Sequence, residues 1–209
     1  MARARLTRRR LLGLDRSGGP PPQTTKGQPL NPWTIPNAIG FTRLALLPVF
    51  LVLALRSGDG RSATATVVYA FVAGSDYLDG MAARVLGQYS RLGALLDPLT
   101  DRALVISGVI VCWKFDLLPR WALAILVVRE ALMLVLTQIA LRLDIDLNIN
   151  MLGRWAVWPV MGSLFLAMVV ETWVSDVLLY FGIALTLGAT LMYFRDGIEG
   201  LRSRPSSSR

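Results

Sequence analysis

The sequence predicts an all-α integral membrane protein, six transmembrane helices in one bundle with both termini on the cytoplasmic side. Three observations predict it. The chain of 209 residues is 54% hydrophobic with a mean hydropathy of +0.50, yet it carries a formal net charge of +8. Its apolar residues fall into six runs, each close to the ~20 residues that an α-helix needs to cross the hydrocarbon core. The basic residues concentrate in the tails and in alternate connections, the asymmetry that orients membrane helices.

Residues 1–32 hold Arg3, Arg5, Arg8, Arg9, Arg10, Arg16 and Lys26 around Gly18-Gly19-Pro20-Pro21-Pro22. So few apolar side chains cannot offset the entropy of ordering, so the segment reads as a disordered basic cytoplasmic tail. The run Arg8-Arg9-Arg10-Leu11-Leu12 has the look of a twin-arginine export signal. Asp15, Arg16 and the Gly/Pro cluster interrupt it before an apolar segment forms, which argues against export.

The spans are expected at roughly 37–56, 62–84, 92–113, 119–142, 152–170 and 173–195, within a membrane domain of residues 33–198. Short connections imply a single bundle. With both termini inside, Arg84, Arg91, Arg142, Arg154, Arg195, Arg202, Arg204 and Arg209 join the basic tail on the cytoplasmic side. Outside remain Arg56, Arg61, Lys114 and Arg120, diluted by Asp59, Asp116, Glu171 and Asp176. Trp33, Trp113, Trp121, Trp155 and Trp173 fall near span ends, where amphipathic rings anchor helices at the interface. Residues 199–209 are Ser/Arg-rich and read as a second disordered tail.

Composition also excludes chemistries. There is no histidine and a single cysteine, Cys112, so zinc sites built on histidine or clustered cysteine, internal disulfides and histidine acid–base catalysis are ruled out. The basic residues flank apolar spans and do not interleave with polar and aromatic ones, which argues against a nucleic-acid partner.

Against this apolar background stand four acids: Asp76, Asp79, Asp97 and Asp101. Carboxylates this close repel one another and are costly to desolvate, so something must neutralise them. A divalent cation is the simplest answer, and oxygen-only ligands favour a hard one, magnesium or manganese. Asp76 and Asp79 are spaced i,i+3, while Gly93, Asp97 and Asp101 repeat at i,i+4, so each set lies along one helix face. Two such faces turned together would make a four-carboxylate cage. Asp79 precedes Arg84 by five residues, roughly 7–8 Å along a helix, which sets the acids just inside the cytoplasmic boundary. Gly80 and Gly93 would let a phosphate group or a neighbouring helix approach the backbone. Pro98 removes a helical hydrogen bond between two of the acids and is expected to bend the third span.

The string Asp76-x2-Asp79-Gly80-x2-Ala83-Arg84-x8-Gly93-x3-Asp97-x3-Asp101 resembles the signature of the CDP-alcohol phosphotransferases, and all eight fixed positions match. The resemblance extends through Ile35-Pro36-Asn37, Thr42-Arg43 and the six-helix layout, over residues 33–198. It implies that Asp76, Asp79 and Asp97 ligate the metal, and that Asp101 completes the site and acts as general base. It further implies that Asp76, Gly80, Ala83, Arg84 and Gly93 shape the CDP pocket, and that the protein is a homodimer. In the implied reaction an acceptor hydroxyl attacks the lipid-linked phosphorus of a CDP-activated lipid and CMP leaves.

Tyr89-Ser90-Arg91-Leu92-Gly93-Ala94-Leu95-Leu96-Asp97-Pro98 and Val128-Arg129-Glu130 resemble the phosphatidylglycerophosphate and cardiolipin synthase branch. CDP-diacylglycerol is then the donor and glycerol-3-phosphate the leading acceptor. One departure opens the alternative. Phosphatidylglycerophosphate synthases commonly carry Gly-Lys-x-Lys-Thr at the start of the fifth span, and this chain has Gly153-Arg154-Trp155-Ala156-Val157. The lost second cation weakens binding of a free phosphomonoester, and the alternative acceptor, phosphatidylglycerol, the substrate of a cardiolipin synthase, would need less positive charge there; glycerol-3-phosphate stays ahead. Arg154, on the side of the acids in this topology, is the first candidate for holding acceptor phosphate. Arg129 is the second, against an equally good reading in which it pairs with Glu130. Arg43 and Arg102 could answer the acids' charge or only snorkel, and Asn37 and Thr42 are weaker candidates.

Two non-enzymatic readings stand beside this one. A divalent-cation transporter could line its path with the same acids. They cluster near one face, however, with no matching acids across the membrane. A membrane anchor for a partner leaves the spacing of the acids unexplained.

Overall fold

The computed structural model describes residues 32–142 and 151–202. The basic tail and the last residues lie outside them, as does the 143–150 connection. Six helices make up the described residues: α1 Ile35–Leu55, α2 Ala63–Leu86, α3 Arg91–Lys114, α4 Arg120–Arg142, α5 Met151–Val169 and α6 Trp173–Arg202. Each falls within a few residues of an expected span, except that α6 runs on to Arg202.

Local signals explain the boundaries. Thr34 caps α1, its hydroxyl accepting from the Asn37 N–H at 3.3 Å, and Pro36 stands in the first turn, where its missing N–H costs nothing. Helix α2 stops at Gly87, whose φ of +63° is the left-handed conformation that ends helices and that a side chain resists. Ser90 then caps α3 by accepting from the Gly93 N–H at 2.9 Å. Helix α3 continues unbroken through Pro98, so the proline removes one backbone donor without ending the element.

The chain divides into two compact units, where the short connections suggest a single bundle. Unit 1 holds α1, α2 and the first part of α3. Its core is Leu47, Phe50, Tyr69, Val72, Leu96 and Leu104, with the Phe50 and Tyr69 rings 5.2 Å apart. Unit 2 holds the end of α3 with α4, α5 and α6, and packs Leu123, Leu126, Val160, Leu164, Met168 and Leu179. There α5 and α6 approach closely because Gly182 lacks a side chain. A Cβ at Gly182 would meet Val160 Cγ2 at 2.6 Å.

Helix α1 and the stretch Trp173–Met192 of α6 are long and apolar enough to cross a membrane, with mean hydropathies of 2.2 and 1.7. The expected spans α2, α3 and α4 carry Asp76, Asp79, Asp97, Asp101, Arg129 and Glu130 within their lengths, which lowers their hydropathy. Large apolar side chains nevertheless stay exposed on them as well, among them Val67, Phe71, Ile110 and Val128. A surface this apolar suits a lipid environment better than water.

Candidate functional site

The site is built on three helices of unit 1. Helix α1 brings Arg43, α2 brings Asp76 and Asp79 one turn apart, and α3 brings Asp97 and Asp101 one turn apart. Arg43 is the centre. Its Nη1 donates to Asp76 Oδ1 and Asp79 Oδ2, each at 3.0 Å, and its Nη2 donates to Asp101 Oδ1 at 3.1 Å. Its Nε donates to the Val72 carbonyl at 3.1 Å, which fixes the plane of the guanidinium. A planar fork with five donors can satisfy three carboxylates and a carbonyl together, which a lysine cannot.

Exposure separates floor from mouth. The side chains of Arg43 and Asp79 are 1% and 6% exposed and form the floor. Those of Asp76 and Asp101, at 47% and 39%, reach the opening. Asp97 is exposed, one helical turn before Asp101.

The expected four-carboxylate cage is therefore organised differently. Three of the acids gather on a guanidinium, and among the described residues no group of three or more Asp, Glu, His or Cys is arranged to hold a metal ion. The donor set still suits a hard cation. The oxygens it offers are all carboxylate oxygens, and Arg43 supplies one positive charge against four negative ones, leaving an excess that a divalent ion would offset.

The remaining candidates separate. Gly80 and Ala83 are half-buried on α2, beyond Asp79. Arg84 lies in α2 and Arg154 in the first turn of α5, but their side chains lie outside the described residues. Gly93 packs against protein. A Cβ there would stand 2.8 Å from Asn37 Oδ1 and 3.1 Å from Ser90 Oγ, so it is the neighbouring helix that needs the missing side chain. In unit 2, Arg129 is buried, donates to the Glu130 carboxylate and reaches Thr190 Oγ1 with its Nε at 3.3 Å. The ion-pair reading of Arg129 is the one seen, and those contacts do not direct it to an acceptor.

Sequence reasoning left Arg43 undecided and gave no role to Ser90. Both had a signal. A lone cation eight residues into the apolar span α1 demands a buried partner, and a serine between a glycine turn and an apolar run marks a helix start.

A fork-shaped cation under clustered carboxylates that open to the surface, in a helical protein with an apolar exterior, fits the class of membrane proteins. Comparison with known proteins narrows it. The profile of the CDP-alcohol phosphatidyltransferase family matches residues 33–188, and the chain belongs to that family. It is an enzyme, a membrane transferase of phospholipid biosynthesis. The chain is 34% identical over 197 residues to "Cardiolipin synthase (CMP-forming)" of Streptomyces coelicolor, covering 90% of this chain and 91% of the relative. It is 29% identical over 138 residues to the "CDP-diacylglycerol--glycerol-3-phosphate 3-phosphatidyltransferase" of Bacillus subtilis, covering 60% and 72%. Against the rat "Cardiolipin synthase (CMP-forming)" it is 41% identical over 90 residues, 43% of this chain and 29% of the relative.

Proposed function

We propose that this protein transfers the phosphatidyl group of CDP-diacylglycerol to the hydroxyl of phosphatidylglycerol, releasing CMP and forming cardiolipin. The observation that carries this reading is the cluster of Asp76, Asp79 and Asp101 on Arg43, with Asp97 one helical turn before Asp101. Two facts favour phosphatidylglycerol as acceptor: the likeness to the Streptomyces protein along nearly the whole of both chains, and the single cation in Gly153-Arg154-Trp155-Ala156-Val157. The second reading, phosphatidylglycerophosphate synthesis from glycerol-3-phosphate, rests on the Bacillus relative and is the one that the signature alone prefers; the first reading reverses that preference.

Asp76, Asp79, Asp97 and Asp101 would hold magnesium or manganese, which when bound supplies positive charge to the donor's pyrophosphate. Gly80, Ala83 and Arg84 border the CDP moiety, with Arg84 supplying charge to its phosphates, while Gly93 serves the contact with α1. Asp101 gives one oxygen to Arg43, which orients the carboxylate and leaves the other oxygen to take the proton of the acceptor hydroxyl. The hydroxyl oxygen then bonds to the lipid-linked phosphorus as the bond from that phosphorus to CMP breaks. Arg43 holds the acids in place throughout, so their geometry need not reorganise at the reaction. Arg154 meets the acceptor's phosphate. The protein works as a multi-pass, N-in and C-in homodimer of the cell membrane, with its acids toward the cytoplasm, where the CDP headgroup of the membrane-held donor meets water and CMP is released.

The test is direct. Purified full-length protein with magnesium or manganese and CDP-diacylglycerol is offered phosphatidylglycerol, glycerol-3-phosphate or inositol in parallel, and the lipid product is identified. Cardiolipin from phosphatidylglycerol supports the reading. Phosphatidylglycerophosphate alone replaces it with the second, and metal flux without CMP release from any acceptor would revive the transporter.

A further inference from the structure

The start of α1 and the start of α3 are tied together by two buried side chains. Ser90, the cap of α3, donates its hydroxyl hydrogen to Asn37 Oδ1 at 2.7 Å while accepting from the Gly93 N–H at 2.9 Å. Asn37, in the first turn of α1, completes the tie by donating from Nδ2 to the Pro32 carbonyl at 3.1 Å. Both residues are almost fully buried, at 1% and 5% exposure. Alongside them Gln88 Oε1 accepts from the Ile35 N–H at 3.1 Å, so the α2–α3 turn is drawn across the start of α1.

This tie lies in register with the acids. From Asn37 to Arg43 is six residues, about 9 Å of helix rise, and from Gly93 to Asp101 is eight, about 12 Å. Helices α1 and α3 are thus pinned at two points, Asn37–Ser90–Gly93 at their starts and Arg43–Asp101 further along. Two pins fix both the slide and the rotation of α3 against α1. One pin alone leaves α3 able to turn, and a turn swings Asp97 and Asp101 together, because they share a face. Gly93 is the contact point: a Cβ there would stand 2.8 Å from Asn37 Oδ1 and 3.1 Å from Ser90 Oγ, so the side chains of the tie would have to shift.

We infer that Asn37 and Ser90 are positioning residues of the transferase, a latch that holds α3 in the rotation at which Asp97 and Asp101 face Asp76 and Asp79, and that Gly93 is a glycine to admit this latch. Neither residue touches the reacting atoms. The inference rests on phosphatidyl transfer as the reaction, though not on which acceptor is used.

The test uses the full-length protein in detergent, with CMP release measured against CDP-diacylglycerol and manganese concentration, and thermal unfolding followed in parallel. Ser90→Ala and Asn37→Ala should lower kcat on the order of 10- to 100-fold, the scale of a small misplacement of catalytic groups. The KM for the CDP-lipid should stay unchanged and more manganese should be needed for half-saturation. Ser90→Thr keeps the hydroxyl and should retain most of the turnover. Gly93→Ala should be impaired, and adding Asn37→Ala should relieve most of the added defect, because the closer of the two atoms that the new Cβ meets is gone. Wild-type kcat in Ser90→Ala and Asn37→Ala overturns the latch, as does a Gly93→Ala defect that Asn37→Ala leaves unrelieved. A raised KM at unchanged kcat would overturn it in favour of substrate contact. Absence of CMP release from the wild-type protein would instead sink the transferase reading itself.

Discussion

Arg43 Nη1 lies 3.0 Å from Asp79 Oδ2, and both side chains are almost wholly removed from solvent. A buried ion pair of this kind adds little to stability over an apolar pair, but leaving one member alone is expensive. Arg43→Ala should therefore destabilise the protein by roughly 3–5 kcal/mol, since Asp79 is left buried without its partner. Arg43→Lys should recover only part of this, because one ammonium cannot bond Asp76, Asp79, Asp101 and the Val72 carbonyl together. Unfolding in mixed micelles, followed by circular dichroism, measures both; equal stability of the three proteins would remove Arg43 from the centre of the site.

Asp101→Asn should keep the fold and lose turnover by about 10²- to 10⁴-fold, the usual worth of a general base. The amide oxygen still accepts from Arg43, so the unfolding midpoint should change little. CMP release near the wild-type rate in this variant would end the base assignment.

Chelation with EDTA should stop CMP release, and excess magnesium or manganese should restore it. Binding of the ion should also raise the unfolding temperature, since it stabilises the folded chain by mass action. In Asp97→Asn this thermal shift should shrink. An undiminished shift would show that Asp97 is not a ligand.

Arg129→Met alone should cost up to roughly 3 kcal/mol, because Glu130, with 13% of its side chain exposed, then loses its partner. Removing both charges in Arg129→Met/Glu130→Leu should restore most of the stability, as volume-conserving replacement of buried ion pairs commonly does. The double variant also separates structure from recognition. Stable protein with wild-type KM for the acceptor assigns Arg129 to the ion pair, whereas a raised acceptor KM returns it to the substrate.

Arg154→Gln should raise the acceptor KM while leaving the KM for CDP-diacylglycerol unchanged. Initial rates with each substrate varied in turn decide it. A change confined to the donor would move Arg154 to the CDP end of the site.

The sequence by itself determined the six helices, because long, mainly apolar runs separated by turn residues satisfy their backbone hydrogen bonds most readily as helices. It also determined the four acids and their pairing by face, since i,i+3 and i,i+4 spacing follows from helix geometry alone. Only the tertiary structure decided what lies among those acids. Whether Arg43 snorkels or turns inward depends on how α1 packs against α2 and α3, and no local pattern carries that information. The role of Gly93 was settled the same way, by Asn37 arriving from another helix 56 positions earlier in the chain. Local periodicity says which side chains share a face. What each face meets depends on long-range packing, and at this site that packing put a guanidinium beneath three carboxylates and an asparagine–serine pair against the glycine.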